Sequence, residues 1–281
     1  MDWFDPVGRT AERIGEWKVV SYRTLRRAAA EAGVSSAEGE IYCLARGFVP
    51  SRYLRSMGTL GLEGQTALLQ SSAAVIGCGG LGGYVAEILA RAGVGRLVLV
   101  DSDVFDESNL NRQLLATEKT LGISKAREAV RRVEEINGSV AAEERQCRFD
   151  DYSAEGILDG IDVALDCLDN LPSRRTLYAR CGERNIPVVT GAIGGFWGQV
   201  GVVLPDGPSM ADFFPEGKDQ GEERELGNPP FTPAVVAALE CAQAIKLITG
   251  KGSVLSGAFL WMDLREDEFS RLSLKKGVQS E

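Results

Sequence analysis

The sequence predicts an α/β protein: a mixed β-sheet covered by helices on both faces, with a small helical extension over residues 1–50. Three observations carry that expectation. Short apolar runs suited to buried strands, at 73–76 and 97–100, alternate with stretches of helical periodicity. A glycine-rich loop, Gly77-Cys78-Gly79-Gly80-Leu81-Gly82, lies directly between the first of these strands and a helix-forming run. The 281 residues, 44% hydrophobic and 25% charged, suffice for one large α/β unit plus an appendage, with a core that needs neither disulfides nor metal.

The elements follow in order. Residues 1–20 lack a regular period and read as an irregular arm. Residues 22–32 are helix formers ending at Gly33, a natural C-cap. Ser35 or Ser36 is placed to cap a second short helix through about Arg46. These two helices make up the extension, expected to supply packing area or a partner contact, and the larger unit takes residues 51–281. A helical stretch at 51–57 precedes Gly58, Gly61 and Gly64, which break the chain, and 65–69 gives one further turn. The strand–glycine loop–helix–strand unit from 73 to 100 is the first half of a Rossmann-like nucleotide fold. Beyond it come an amphipathic helix at 125–136, strands at 140–148 and 162–167, a helix at 174–184, and strands at 186–190 and 198–204, the last antiparallel. Residues 206–230, rich in charge, glycine and proline, read as a mobile crossing loop. Thr232 is placed to cap a helix at 233–248, and 258–262 with 268–274 form a closing hairpin.

Composition narrows the chemistry. The net charge of −9 argues against a nucleic-acid surface, which leans on clustered Lys and Arg. Six cysteines include no CxxC pair and there is no histidine, so a structural zinc is not expected and imidazole acid–base catalysis is excluded. No apolar run approaches a membrane span and the N-terminus lacks a signal-peptide core, so the expected location is the cytoplasm.

The motifs point to a nucleotide. Gly77, Gly79, Gly80 and Gly82 permit a tight turn and close approach of phosphate or ribose to the backbone at a helix N-terminus. Asp101 ends the second strand, about 20 residues beyond Gly82, where a carboxylate accepts from ribose hydroxyls. A nicotinamide enzyme fits equally well to this point. The continuation, Asp103, Ser108-Asn109-Leu110-Asn111-Arg112-Gln113 and Gly122-Ile123-Ser124-Lys125, separates the readings. A triphosphate needs a forked donor and a point charge, which Arg112 and Lys125 offer, and a dehydrogenase has no use for them. The bland alternative for Lys125 alone is a solvated helix-start lysine, and for Asp169 a helix N-cap, since Pro172 and a helix follow.

In this order GxGGLG, DxD…SNLxRQ, GxxK and Asp166-Cys167-Leu168-Asp169-Asn170 resemble the family of ThiF, MoeB and HesA proteins, bacterial relatives of ubiquitin-activating enzymes. Arg52-Tyr53-Leu54-Arg55, Ile186–Ala192 with Gly198-Gln199-Val200, and Thr232-Pro233-Ala234 before a long helix extend the likeness over roughly 51–274. The resemblance implies ATP-dependent adenylation of the C-terminal glycine carboxylate of a ubiquitin-like sulfur carrier ending in Gly-Gly, with release of pyrophosphate. It implies that Gly80 lies against the nucleotide, Asp101 holds the ribose, and Ser108 to Arg112 wrap the phosphates with Lys125. It further implies that Asp169, beside Asn170, holds Mg²⁺, and that Arg55 reaches into the opposite subunit of a homodimer. Many members carry two zinc-binding CxxC pairs; here residues 204–209 stand where the first pair falls, and no cysteine lies between Cys181 and Cys241. A zinc-less, MoeB-type enzyme that stops at the acyl-adenylate is therefore expected. The competing readings are adenylation of a carboxylate on a modified tRNA nucleoside, a nicotinamide-dependent oxidoreductase, and a non-catalytic nucleotide sensor.

Overall fold

The computed structural model describes residues 3–207 and 226–274. The extension is not purely helical, and its residues 3–20 are not irregular. It runs α1 (Asp5–Arg9), β1 (Glu12–Ile14), β2 (Trp17–Val20), α2 (Tyr22–Glu31), α3 (Ser36–Ala45) and β3 (Phe48–Pro50), with a three-stranded sheet in the order β1-β2-β3. The hairpin escaped detection because strands of three and four residues show too little alternation. Its turn is set by Gly15 at φ +61°, glycine-first as the strand twist favours. Ser35 caps α3 through a reciprocal box with Glu38.

A 3-10 turn (Ser51–Ser56) leads into α4 (Met57–Gln70), which continues past Gly58 and Gly64 and kinks only at Gly61 (φ 65°, ψ −178°). The large sheet then assembles from β4 (Ser72–Ile76), β5 (Arg96–Val100), β6 (Ala141–Arg145), β7 (Val163–Asp166), β8 (Val188–Gly194), β9 (Trp197–Val203), β10 (Ala258–Asp263) and β11 (Glu268–Ser273), in the order β11-β10-β9-β8-β7-β4-β5-β6. The five strands from β6 to β8 are parallel, and β9, β10 and β11 add antiparallel pairs.

The apolar runs of the central strands look continuous because both faces are covered. Ala73, Val75, Leu97 and Leu99 join one core with residues of α4, of α5 (Gly82–Ala92), of α6 (Lys125–Ile136), and of the long helix Phe231–Thr249. Ala74, Ile76, Val98 and Val100 join the other core, with α7 (Ala154–Ile157) and α8 (Leu171–Glu183). The helix Phe231–Thr249, α9, has a mean hydropathy of 1.5 and is long and apolar enough to cross a membrane, contrary to the expectation that no such run exists. In the fold it packs on β8 and β9 and against α4 and α5. Thr232 does not cap it: the cap position is Pro230, and the Thr232 hydroxyl donates to Gly195 O at 2.7 Å. Most of the expected crossing loop, residues 208–225, lies outside the described residues.

Chain order positions the site. From β4 the chain winds outward through β5 and β6, then returns to the other side of β4 as β7. The carboxyl ends of β4, β5 and β7 thus flank a crevice at a topological switch point, where ligands bind in open α/β sheets.

Candidate active site

That crevice is a cleft of about 740 Å³. Its glycines divide by role. A Cβ on Gly77 (φ +95°) would lie 2.6 Å from Cys167 O, and one on Gly82 would lie 1.8 Å from Gly77 O, so both let backbone meet backbone. Gly79 and Gly80 line the cleft, and their nearest neighbours are side-chain atoms of Gln113 at 3.5 Å and Pro233 at 3.8 Å. They leave room for a ligand to approach the chain. Helix α5 begins just behind them without a side-chain cap, so its first N–H groups point to the cleft end of the helix.

Asp101 closes the loop from the end of β5. Its Oδ2 accepts from Cys78 N and its Oδ1 from Asp103 N, each at 2.8 Å. Burial pushes its carboxyl above the ordinary value, and those two N–H bonds pull in the opposite sense. Each oxygen keeps acceptor capacity toward the cleft. Lys125, only 7% exposed, starts α6 behind the Ser124 cap and reaches Asp103 Oδ2 at 3.1 Å. Arg112 donates to Ser108 O and to Asn111 Oδ1, both at 2.8 Å, and Asn111 Nδ2 donates to Asn228 O at 3.0 Å. The two cations thus reach the lining from separate elements, each aimed by a local bond. Asn170, and not Asp169, caps α8, accepting from Ser173 N at 3.0 Å. Asp169 is left as an exposed carboxylate on the cleft wall.

Of the predicted residues, Gly77, Gly79, Gly80, Asp101, Asp103, Ser108, Asn111, Arg112, Gln113, Lys125, Asp169 and Asn170 line this one cleft. Gly82, Asn109, Leu110 and Arg55 do not. Gly82 serves the strand–helix contact described above. Asn109 is buried and accepts from Asp106 N, shaping the turn that carries Arg112. Leu110 and Arg55 are exposed, Arg55 on the 3-10 turn. The sequence reading missed Cys147, Arg148 and Phe149 after β6, Ser173 and Arg174 in α8, and Gly227 and Asn228. The first three follow the carboxyl end of a parallel strand, a position that by itself marks crevice lining.

Two buried atoms of the lining, Gln113 Oε1 and Asn228 Oδ1, have no partner among the described residues. A ligand with hydroxyl or amino donors, as a nucleotide has, would satisfy them. Among the described residues no group of three or more His, Cys, Asp or Glu is gathered as for a metal. The exposed Asp169 still suits Mg²⁺, which takes one or two carboxylates and fills its shell with phosphate oxygens and water. Burial raises Cys43 and Cys181 to about 12, raises Cys147, and holds Cys78, Cys167 and Cys241 well above their ordinary value, which disfavours the thiolate form.

Residues 52–280 match the ThiF family. The chain belongs to the ThiF family. It is 37% identical over 223 residues to the SAMP-activating enzyme E1 of Haloferax volcanii, across 78% of this chain and 83% of that protein. It is 36% identical over 236 residues to the sulfur carrier protein adenylyltransferase of Thermus thermophilus, across 80% of this chain and 87% of the relative. The crystal structure of PaaA shares the fold, with a TM-score of 0.68 at 21% identity over 80% of this chain and 82% of that one. The ThiF match takes in the whole cleft lining, from Ile76 to Asn228, and leaves the first 51 residues outside it.

Proposed function

We propose that this ThiF-family protein uses ATP to adenylate the C-terminal glycine carboxylate of a ubiquitin-like sulfur-carrier protein and releases pyrophosphate. The observation that carries the reading is the convergence of Asp101, Arg112, Lys125 and Asp169 on one cleft at the switch point of the sheet. The names of the two relatives, an activating enzyme and a sulfur-carrier adenylyltransferase, support it.

The chemistry asks for position and charge, not for a base. The carrier's terminal carboxylate is already ionised near neutral pH. Its oxygen attacks the α-phosphorus, a C(O)–O–P bond forms, and the bond from the α-phosphorus to the bridging oxygen breaks. Pyrophosphate leaves with that electron pair, so no proton need be removed and the lack of histidine is no handicap. Gly79 and Gly80 accept the nucleotide against the backbone, and Asp101 receives the ribose hydroxyls. Arg112 and Lys125 offset charge on the phosphates. Asp169, with Asn170 beside it, would hold Mg²⁺, which supplies further charge neutralisation on the departing pyrophosphate. With every thiol raised, the reading ends at the acyl-adenylate with no enzyme–carrier thioester. It includes a homodimer in which Arg55, exposed and outside its own cleft, serves the cleft of the second copy, and it places the protein in the cytoplasm.

The test is ATP–pyrophosphate exchange with small carrier proteins ending in Gly-Gly. Exchange that requires the carrier, and that is lost when its terminal glycine is removed, is expected. ATP binding without carrier-dependent exchange would sink the reading.

A further inference from the structure

Asp169 is an exposed carboxylate on the cleft wall, between two residues that are held in place. Leu168, the residue before it, is held at both its N–H and its carbonyl. Its N–H donates to Asp166 Oδ1 at 3.2 Å, and its carbonyl accepts from Arg174 Nε at 3.1 Å and also from Arg174 Nη2. Asn170, the residue after, is fixed as the cap of α8. Both chain neighbours of Asp169 are therefore anchored, Leu168 by the Arg174 guanidinium and Asn170 by Ser173 N. Arg174 Nη2 also donates to Gly191 O on β8 at 2.8 Å, and its Nε lies 3.6 Å from Asp166 Oδ1. Asp166 is fully buried and is itself held by Tyr178 Oη at 2.5 Å and Thr190 Oγ1 at 3.0 Å. Arg174 is 5% exposed and lines the cleft.

We propose that Arg174, locked against Asp166, is the positioning residue that aims Asp169 into the cleft. Through Nε and Nη2 the guanidinium joins the segment after β7 to β8 by two backbone carbonyls in one fixed plane, a geometry that the rotatable donors of an ammonium on a flexible stem do not hold. The proposal rests on the reading of Asp169 as the carboxylate that bears magnesium, and it goes beyond that reading by assigning what holds the carboxylate in place. Changing an outer residue that orients a metal-bearing group commonly costs about 10- to 100-fold in metal affinity.

The experiment compares wild type, Arg174→Lys, Asp169→Asn and the double variant, measuring ATP binding by calorimetry with and without Mg²⁺. Arg174→Lys is expected to reduce the Mg²⁺-dependent strengthening of ATP binding about tenfold, the range seen for outer-shell partners. Its Mg²⁺-free affinity should stay within about twofold of wild type, and it should add no further loss in the Asp169→Asn background, as a cycle between coupled residues requires. A wild-type Mg²⁺ effect in Arg174→Lys, or the same loss in both backgrounds, would overturn the proposal. Should Arg174→Lys fail to fold, Tyr178→Phe removes one donor from Asp166 and leaves the arginine. A partial loss of the Mg²⁺ effect is then expected, and no loss counts against the clamp. If Asp169→Asn itself leaves the Mg²⁺ effect intact, the reading of Asp169 fails and the proposal with it. Absence of carrier-dependent exchange in wild type would leave the clamp standing and remove only the carrier.

Discussion

At the scale of single residues, the cleft separates groups that act from groups that shape. Arg112 is half-buried and, among the described residues, bonds only to Ser108 O and the Asn111 side chain, so removing it strands no buried partner there. Arg112→Ala should lower carrier-dependent exchange about a hundredfold or more, the cost of losing one donor aimed at developing charge. Its thermal midpoint should stay near wild type; a fall in midpoint matching the fall in activity would make Arg112 a structural residue. Glu240 presents the opposite case. It is fully buried in α9, both carboxyl oxygens lack a partner among the described residues, and a Cβ on Gly191 would meet its carboxyl carbon at 2.5 Å. Burial, with Asp166 adding repulsion, pushes its pKa well up. At pH values below the unfolded pKa, folded and unfolded chains both carry the proton. Above it the unfolded chain ionises while the folded one keeps the proton, so stability falls as pH rises toward the folded value. Glu240→Gln removes that penalty. Its thermal midpoint relative to wild type should climb between about pH 5 and about pH 8, by no more than about 1.4 kcal/mol per pH unit in stability. A difference that stays flat with pH would show that the folded-state pKa is ordinary.

At the scale of elements, one glycine loop holds two kinds of glycine, and a paired experiment tells them apart. A Cβ on Gly82 would sit 1.8 Å from Gly77 O, where backbone must move, whereas a Cβ on Gly80 meets Pro233 at an ordinary 3.8 Å. Gly82→Ala should cost about 4 kcal/mol or more, in the class of severe backbone clashes. Gly80→Ala should keep the wild-type melting curve and weaken ATP binding, since Gly80 lines the cleft. If both variants melt alike, the division is wrong. The same loop shows how much was legible in the sequence. Strand, loop and helix were readable because apolar strands, glycine and a 3.6 period act locally, and helix α6 matches its expected span at both ends. The lining from α8 and from Gly227 and Asn228 was not, because Arg174 and Asn228 arrive from distant parts of the chain with no local pattern to announce them. The capping of α8 by Asn170 in place of Asp169 shows a finer limit: two adjacent polar residues both suit a cap, and only the backbone decides which is used. The β1–β2 hairpin and the cap of α9 were missed for the same local reason, strands and ends too short to show a period.

At the scale of the whole molecule, two questions remain tied to how parts assemble. If Arg55 serves the cleft of a second copy, mixing inactive Arg55→Ala with inactive Asp169→Ala should restore exchange, because mixed dimers hold one complete site. Purified mixtures that stay inactive despite subunit exchange would refute the shared site. The extension poses the second question, and its contacts argue that it does not stand apart. Glu40 on α3, 2% exposed, accepts from Tyr53 Oη at 2.8 Å and from Ser139 Oγ at 2.9 Å, and Arg52 Nε lies 3.5 Å away. Asn137, at the end of α6, donates to Tyr53 Oη at 3.1 Å and also bonds Arg52. Leu44 and Val49 of the extension share one core cluster with Tyr53, Met57 and Leu69. Burial pushes the Glu40 carboxyl above its ordinary value, with Arg52, Tyr53 and Ser139 opposing, as in a network whose members depend on one another. Cutting the chain before Ser51 would expose that cluster and leave Tyr53, Asn137 and Ser139 without Glu40. The full chain should therefore melt in one transition seen alike by calorimetry and circular dichroism, and a 51–281 fragment should be destabilised or aggregate. Two separate transitions, with the fragment melting where the larger one does, would make the extension an independent module, and the network between them a contact of little energetic weight.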